Sequence, residues 1–196
     1  LGLADNDGEA RFLSMKVGQV HKHWHRNCLA LGLAQGFIEP LEATALHLVQ
    51  LSTEFFIEHY EKGHFGSAHQ ESFNATICER FNRVRDYIVA HYKLNTRDDT
   101  DYWRENRNNV ALSESLLQLL DVWYRKGDLP AEIQRQNLHH HFGTTSWHCL
   151  LAGYGCFPPL AKNQPGLGDL FVEKDLDAFF RGCLLNFPIQ QDYLQR

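Results

Sequence analysis

The sequence predicts a mainly α fold with one or two strands near its N-terminus. Three observations predict it. After Leu41 nearly every stretch repeats its apolar residues at helical spacing. Besides residues 11–17 only one or two stretches, chiefly 28–33, read as strands. Caps and breakers, Lys62-Gly63, Ser113, Gly127 and Pro130 among them, fall where the helical patterns start or stop.

Taken in order, residues 11–17 (RFLSMKV) alternate apolar and polar side chains with the period of a strand that needs neighbours to pair with. A strand or two cannot make a stable sheet alone. With Leu1 where an initiator methionine would stand, the chain reads as cut from something larger. A first helix over about 41–60 is apolar on most faces, at Leu46, Leu48, Val49, Leu51, Phe55, Phe56 and Ile57. It is therefore expected to be an interior helix closed by Lys62-Gly63. A second helix over about 72–92 aligns Phe73, Ile77, Phe81, Val84, Ile88 and His91 while Glu79, Arg83 and Asp86 fall largely elsewhere. That is the pattern of an amphipathic surface helix packed on the first.

Further along, Asp99-Thr100 offers a cap for a short helix carrying Tyr102 and Trp103. Ser113 caps another that runs through Trp123 until Gly127 and Pro130 stop it. Residues 146–153 form one more short helix. Pro158-Pro159 and residues 165–168 bound a loop, and residues 173–186 make a final amphipathic helix before Pro188.

Composition narrows the class without choosing the chemistry. A chain of 196 residues, 43% hydrophobic and 22% charged, can bury a core. Its net charge of −5 gives no electrostatic case for nucleic acid or an anionic membrane as partner. The best candidate for a membrane span is interrupted by Glu42, Gln50 and Glu54, and no signal peptide opens the chain. Cys28, Cys78, Cys149, Cys156 and Cys183 are odd in number and form no CxxC. Buried free thiols in a cytoplasmic protein are the expectation. His21, His23 and His25 alternate and His139, His140 and His141 are consecutive, but a zinc site wants cysteine or carboxylate support, so no metal is expected.

One stretch stands out. In residues 29–50, LALGLAQGFIEPLEATALHLVQ, a glycine-punctuated apolar run stops at Glu39-Pro40 and an apolar helix begins around Glu42. Glu42 is the only Asp, Glu, Lys or Arg between Glu39 and Glu54. Backbone N–H groups in a helix's first turn lack intrahelical partners and, with the macrodipole, favour an anion or an electron-rich ring edge. An acid in that turn, with Pro40 at the first helical position, also describes an ordinary helix start. From the residues alone both readings stand.

Residues 24–47, WHRNCLALGLAQGFIEPLEATALH, resemble the flavin-dependent tryptophan halogenase family. The run 85–93, RDYIVAHYK, followed by Arg97-Asp-Asp-Thr100 and Tyr102-Trp103, resembles the segment these enzymes carry on the next helix. Ser146-Trp147 with Leu151-Ala-Gly153 and the prolines after them is a third, weaker match. Together the runs cover the chain from about Arg11 to Pro188 in the family's order. The resemblance implies the helical C-terminal half of a flavoprotein monooxygenase-like fold. Residues 1–40 would belong to the cofactor domain as strand and flavin-contacting turn, and 41–196 would form a helical domain.

In the family, reduced FAD and oxygen oxidise halide to hypohalous acid, which travels through a tunnel to a lysine beside the aromatic substrate. That lysine, the GxGxxG cradle and the WxWxIP motif lie upstream in the family and have no counterpart here, so these residues alone are expected not to halogenate. By the match, Glu42 is the carboxylate across the substrate from the lysine. Thr44 and Ala45 fall where backbone N–H groups bind chloride or bromide, and the backbone of Leu33 and Leu46 would touch the isoalloxazine. The family usually has serine at position 43 and glycine at position 45. Here both are alanine, and Thr44 is left to supply the cap.

The tyrosine pair and Glu-x-x-x-Phe-Trp signature that recognise free tryptophan are absent from EIQRQNLHHHF at 132–142. This points to another electron-rich aromatic, an indole, phenol or carrier-bound pyrrole, with Phe142, Trp147 and His148 as candidate lining or as plain core. A separate flavin reductase would supply the cofactor, and a homodimer is left open. A flavin hydroxylase of the same architecture and a non-enzymatic helical interaction module are the rival readings.

Overall fold

In the computed structural model, which describes residues 13–158, 177–178 and 180–182, short paired strands are followed by helices. Strand β1 (Gly18–Gln19) pairs antiparallel with β4 (Gly36–Phe37), and β2 (Trp24–His25) with β3 (Cys28–Leu29). Of the strand expected over 11–17, residues 11–12 lie outside the described residues; 13–17 pair with no described residue and form no strand, Leu13 and Val17 are exposed, and pairing begins at Gly18. The strand expected over 28–33 stops at Leu29, because Gly32 at φ 57° turns the chain into a 3₁₀ turn, Gly32–Ala34. At Gly36 a Cβ would meet the Gly18 carbonyl oxygen at 2.5 Å, so β1 and β4 can pair only around a bare backbone.

Helix α1 (Thr44–Lys62) ends at Gly63 as the sequence predicts, and α2 (Gln70–Lys93) follows. Their expected roles are exchanged. Along α1 only Thr44, Leu48 and Ser52 are buried, while Leu46 and Ile57 are exposed. α2 instead buries nine residues, Phe73 through Ala90, because α1, β2 and later helices pack around it. It is the interior helix.

Helix α3 (Asp101–Asn108) has Thr100 before it but no side-chain cap. α4 (Glu114–Tyr124) is capped by Ser113, whose Oγ accepts the Leu116 N–H at 3.0 Å. Pro130 does more than stop α4. It sits in the first turn of a further helix, α5 (Leu129–Arg135), where its missing N–H costs nothing, and Asp128 accepts the Ala131 N–H at 2.9 Å. α6 (Thr144–Gly153) begins slightly before the predicted helix.

Two apolar clusters result. Trp24, Leu48, Phe73, Ile77, Phe81 and Val84 form most of one. Tyr87, Leu116, Leu119, Ile133, Trp147 and Leu151 belong to the other, and Phe142 packs against both. In the first, Trp24 meets Phe56, Tyr60 and Phe73 edge to face at 5.0, 6.0 and 5.9 Å, the geometry ring quadrupoles favour.

The four described cysteines are free, but Cys28 and Cys149 are exposed rather than buried. Cys183 lies outside the described residues. The chain divides into one unit, Leu1–Pro158, and another, Pro159–Arg196. In the second, residues 177–178 and 180–182 are helical; the rest of the helix expected over 173–186, and the loop at 165–168, fall outside the described residues. Among the described residues no helix is long and apolar enough to cross a membrane.

Candidate active site

The turn before α1 departs from an ordinary helix start. Residues Leu41–Ala43 form a 3₁₀ turn in which Glu42 (φ 60°, ψ 19°) and Ala43 (φ 51°, ψ 26°) are both left-handed, and α1 begins only at Thr44. Pro40 is thus not the first residue of α1, and no acid stands in that helix's first turn. Left-handed backbone costs a residue with a Cβ roughly 1–2 kcal/mol, so two in succession mark a conformation that the surroundings impose. The kink throws Glu42 off the helix axis.

The helix end itself stays open. Ala43, at the cap position, has no side-chain acceptor, and Thr44 does not replace it: its hydroxyl donates back to the Leu41 carbonyl at 3.3 Å. Ala45 is helical and not left-handed, so alanine can present its N–H here as well as glycine would.

Beside this helix end lies a cavity of about 210 Å³ lined by Gly32, Leu33, Phe37, Ile38, Ala45, Leu46, Val49 and Phe81 among others. Leu33 and Leu46, each 78% exposed, stand at it as bare apolar side chains. The 3₁₀ turn that carries Leu33 is pinned to α1 by Gln35, whose Nε2 donates to Ser52 Oγ at 2.6 Å in a buried contact. The structure therefore brings Leu33, Ala45 and Leu46 together. Thr44 and Glu42 do not line this cavity.

Glu42 faces α2 instead. Its Oε1 lies 3.5 Å from His91 Nε2, while His91 Nδ1 is 2.9 Å from the Tyr87 carbonyl oxygen one turn earlier. Burial first, then the neighbouring Glu39 carboxylate, push the phenol of the next residue, Tyr92, well above the ordinary tyrosine value. Burial first, then the charges of Glu42 and Cys149, push the Tyr87 phenol up to about 12. It stays protonated and donates to the Ser146 carbonyl at 3.1 Å.

Of the candidate substrate-lining residues, Phe142 stacks on Tyr87 with centroids 3.7 Å apart. Trp147 meets Tyr87 edge-on at 5.0 Å but is only 2% exposed, a core residue whose Nε1 has no hydrogen-bond partner among the described residues. His148 packs on Trp123 and bonds the Thr144 carbonyl at 3.0 Å. In the sequence His91 reads as part of a packing stripe, and Tyr87, within the run 85–93, carries no site role. Their spacing of four within RDYIVAHY, which puts both on one helix face, was the available signal.

The family model described as tryptophan halogenase matches residues 3–166. The chain belongs to the tryptophan halogenase family. The 7-chloro-L-tryptophan 6-halogenase KtzR of Kutzneria sp. (strain 744) is 28% identical over 203 residues, covering 100% of this chain and 38% of that protein. The tryptophan 6-halogenase SttH of Streptomyces toxytricini is 28% identical over 195 residues, covering 95% of this chain and 36% of the relative. Its crystal structure superposes with a TM-score of 0.71 at 25% identity, over 93% of this chain and 38% of that one. BrvH, a flavin-dependent halogenase from Brevundimonas sp. BAL3, gives 0.66 at 25% identity, over 98% and 42%. The chain thus spans between 36% and 42% of the length of these halogenase relatives, and its mainly helical architecture is the corresponding portion of their fold.

Proposed function

We propose that the protein carrying this chain is a flavin-dependent halogenase that acts on an electron-rich aromatic, indole-type or tryptophan-like, using reduced FAD, oxygen and chloride or bromide. Family membership supports the reaction class, and the missing tryptophan-recognition signature supports a substrate other than the free amino acid. The observation that carries the assignment to this site is the turn at 40–44. It sends the acid to one side and leaves an uncapped helix end bordering an apolar cavity on the other.

The residues fit the cofactor they would have to hold. At about 210 Å³ the cavity is smaller than the roughly 300–1,000 Å³ of a complete ligand pocket, and none of its lining residues is charged. It suits one edge of a flat ring between Leu33 and Leu46, with the remaining contacts supplied by sequence beyond this chain. Bound there, reduced FAD would supply, with oxygen, the oxidising equivalent that makes halide electrophilic. The backbone N–H groups of Thr44 and Ala45 hold the halide at the open start of α1, where partial positive charge collects. As the carbon–halogen bond forms, the Glu42 carboxylate accepts the proton displaced from the ring. Phe142 lines the aromatic side, and Trp147 and His148 are the further candidate lining.

In this reading residues 1–40 contribute to the cofactor domain and 41–196 to the helical one. A separate reductase supplies reduced FAD, the protein is cytoplasmic, and residues 1–196 alone do not halogenate. The test is to incubate the full-length protein with reduced FAD, oxygen, bromide and a panel of indoles and phenols, and to look for brominated product by mass spectrometry. Glu42→Gln should lower product formation by about 10²-fold or more while leaving flavin binding nearly intact. A fully active variant would remove Glu42 from the mechanism.

A further inference from the structure

His91 is held more firmly than the acid it faces. Its Nδ1 is tied to the Tyr87 carbonyl at 2.9 Å, its ring meets Tyr87 edge-on at 4.9 Å and Tyr154 at 6.3 Å, and its side chain is 17% exposed. Glu42 stands on left-handed backbone with its side chain 50% exposed, and His91 is its one ion-pair partner among the described residues. A half-solvated carboxylate on a kinked turn has several rotamers of similar energy. The contact with a ring fixed on the interior helix selects one.

Both ring nitrogens of His91 face oxygen acceptors, the Tyr87 carbonyl and the Glu42 carboxylate. We infer that His91 is the positioning residue for the acid: its ring, held by the Tyr87 carbonyl, bears on one Glu42 oxygen at 3.5 Å and leaves the other turned to the substrate. This rests on the proposed halogenation. When the carbon–halogen bond forms, the electrons of the C–H bond return to the ring. The proton passes to the free Glu42 oxygen and then to solvent through the exposed side of the carboxyl. His91 never touches the substrate and acts through Glu42.

The test uses the full-length protein with reduced FAD supplied by a reductase, bromide and the substrate found in the panel above. His91→Leu should lower kcat about 10²-fold with KM little changed, as expected when a reacting group is misplaced by an ångström or so. His91→Gln, whose amide N–H reaches a similar point, should recover most of that loss. The His91→Leu/Glu42→Gln double variant should be no slower than Glu42→Gln alone. A merely structural histidine would instead give additive losses and no rescue by glutamine, and either result overturns the inference. Crystal structures of the full-length wild type and His91→Leu give a readout that needs no turnover. The Glu42 carboxylate should leave its wild-type position in the variant, and an unmoved carboxylate overturns the inference. If wild type halogenates nothing while the carboxylate still moves, the functional reading falls and the positioning role stands.

Discussion

Asn74 and Trp24 exchange a matched pair of hydrogen bonds: Asn74 Oδ1 accepts the Trp24 N–H at 2.8 Å and Asn74 Nδ2 donates to the Trp24 carbonyl, also at 2.8 Å. A side-chain amide on α2 thus completes β2, whose single strand partner among the described residues, β3, would leave these groups bare in the core. Asn74→Ala strands a buried donor and a buried acceptor at once. Unfolding in denaturant should show a loss of roughly 2–4 kcal/mol. A loss under about 0.5 kcal/mol would mean that water replaces the amide and β2 is less buried than described.

Ala43 should prefer to be glycine. Its φ of 51° is a conformation glycine adopts freely, so Ala43→Gly should stabilise the protein by about 0.5–1 kcal/mol, seen as a higher Tm. A fall in Tm would show that the turn at 42–43 is not left-handed in solution.

At Gly36 the sign reverses. The Cβ of Gly36→Ala would lie 2.5 Å from the Gly18 carbonyl oxygen and 2.9 Å from Gln19 Cα, both backbone atoms that cannot yield without unpairing β1 from β4. The variant should lose about 1–3 kcal/mol. Because Gly36 and Phe37 wall the apolar cavity, flavin binding by the full-length protein should weaken in parallel. Unchanged flavin affinity in a destabilised variant would separate that cavity from the cofactor.

Acid should weaken the fold through His141. Burial first, then the charges of Arg80, His140, Arg83 and His47, lower its imidazole from 6.5 to about 4, and its Nδ1 is buried without a partner among the described residues. The folded protein keeps this ring neutral, whereas the unfolded chain binds a proton below about 6.5, so stability falls as pH drops from about 6.5 towards 4. His23, lowered by burial, acts in the same direction. His141→Gln should flatten the stability–pH curve across that window, measured by thermal melts at stepped pH. A variant with the wild-type slope would show that other groups set the acid limb.

Much of this was legible in the sequence, for physical reasons that differ by element. Helices α1, α2 and α4 announce themselves because apolar spacing and caps such as Ser113 act within one turn of the chain. The exchange of interior and surface between α1 and α2 was hidden. Apolar residues such as Leu46 and Ile57 record what a helix can bury, not what happens to cover it. The run of Glu42 and Thr44 near a helix start was visible, but the double left-handed kink was not, because glutamate and alanine carry no signal for positive φ. Likewise the partnership of Glu42 with His91, 49 positions apart in the numbering, exists only once α1 and α2 have packed.

The 24 residues of α2 enter both apolar clusters, with Phe73 to Ile88 in one and Tyr87 and Ala90 in the other. At about 1.5 Å per residue the helix is a ruler some 36 Å long that registers the turn at 40–44 against the segment 137–148 without those two stretches sharing a strand or a loop. Such a layout is modular. A library randomised around Phe142 leaves Pro40 to Leu46 untouched, which makes 137–148 the natural cassette for directed evolution.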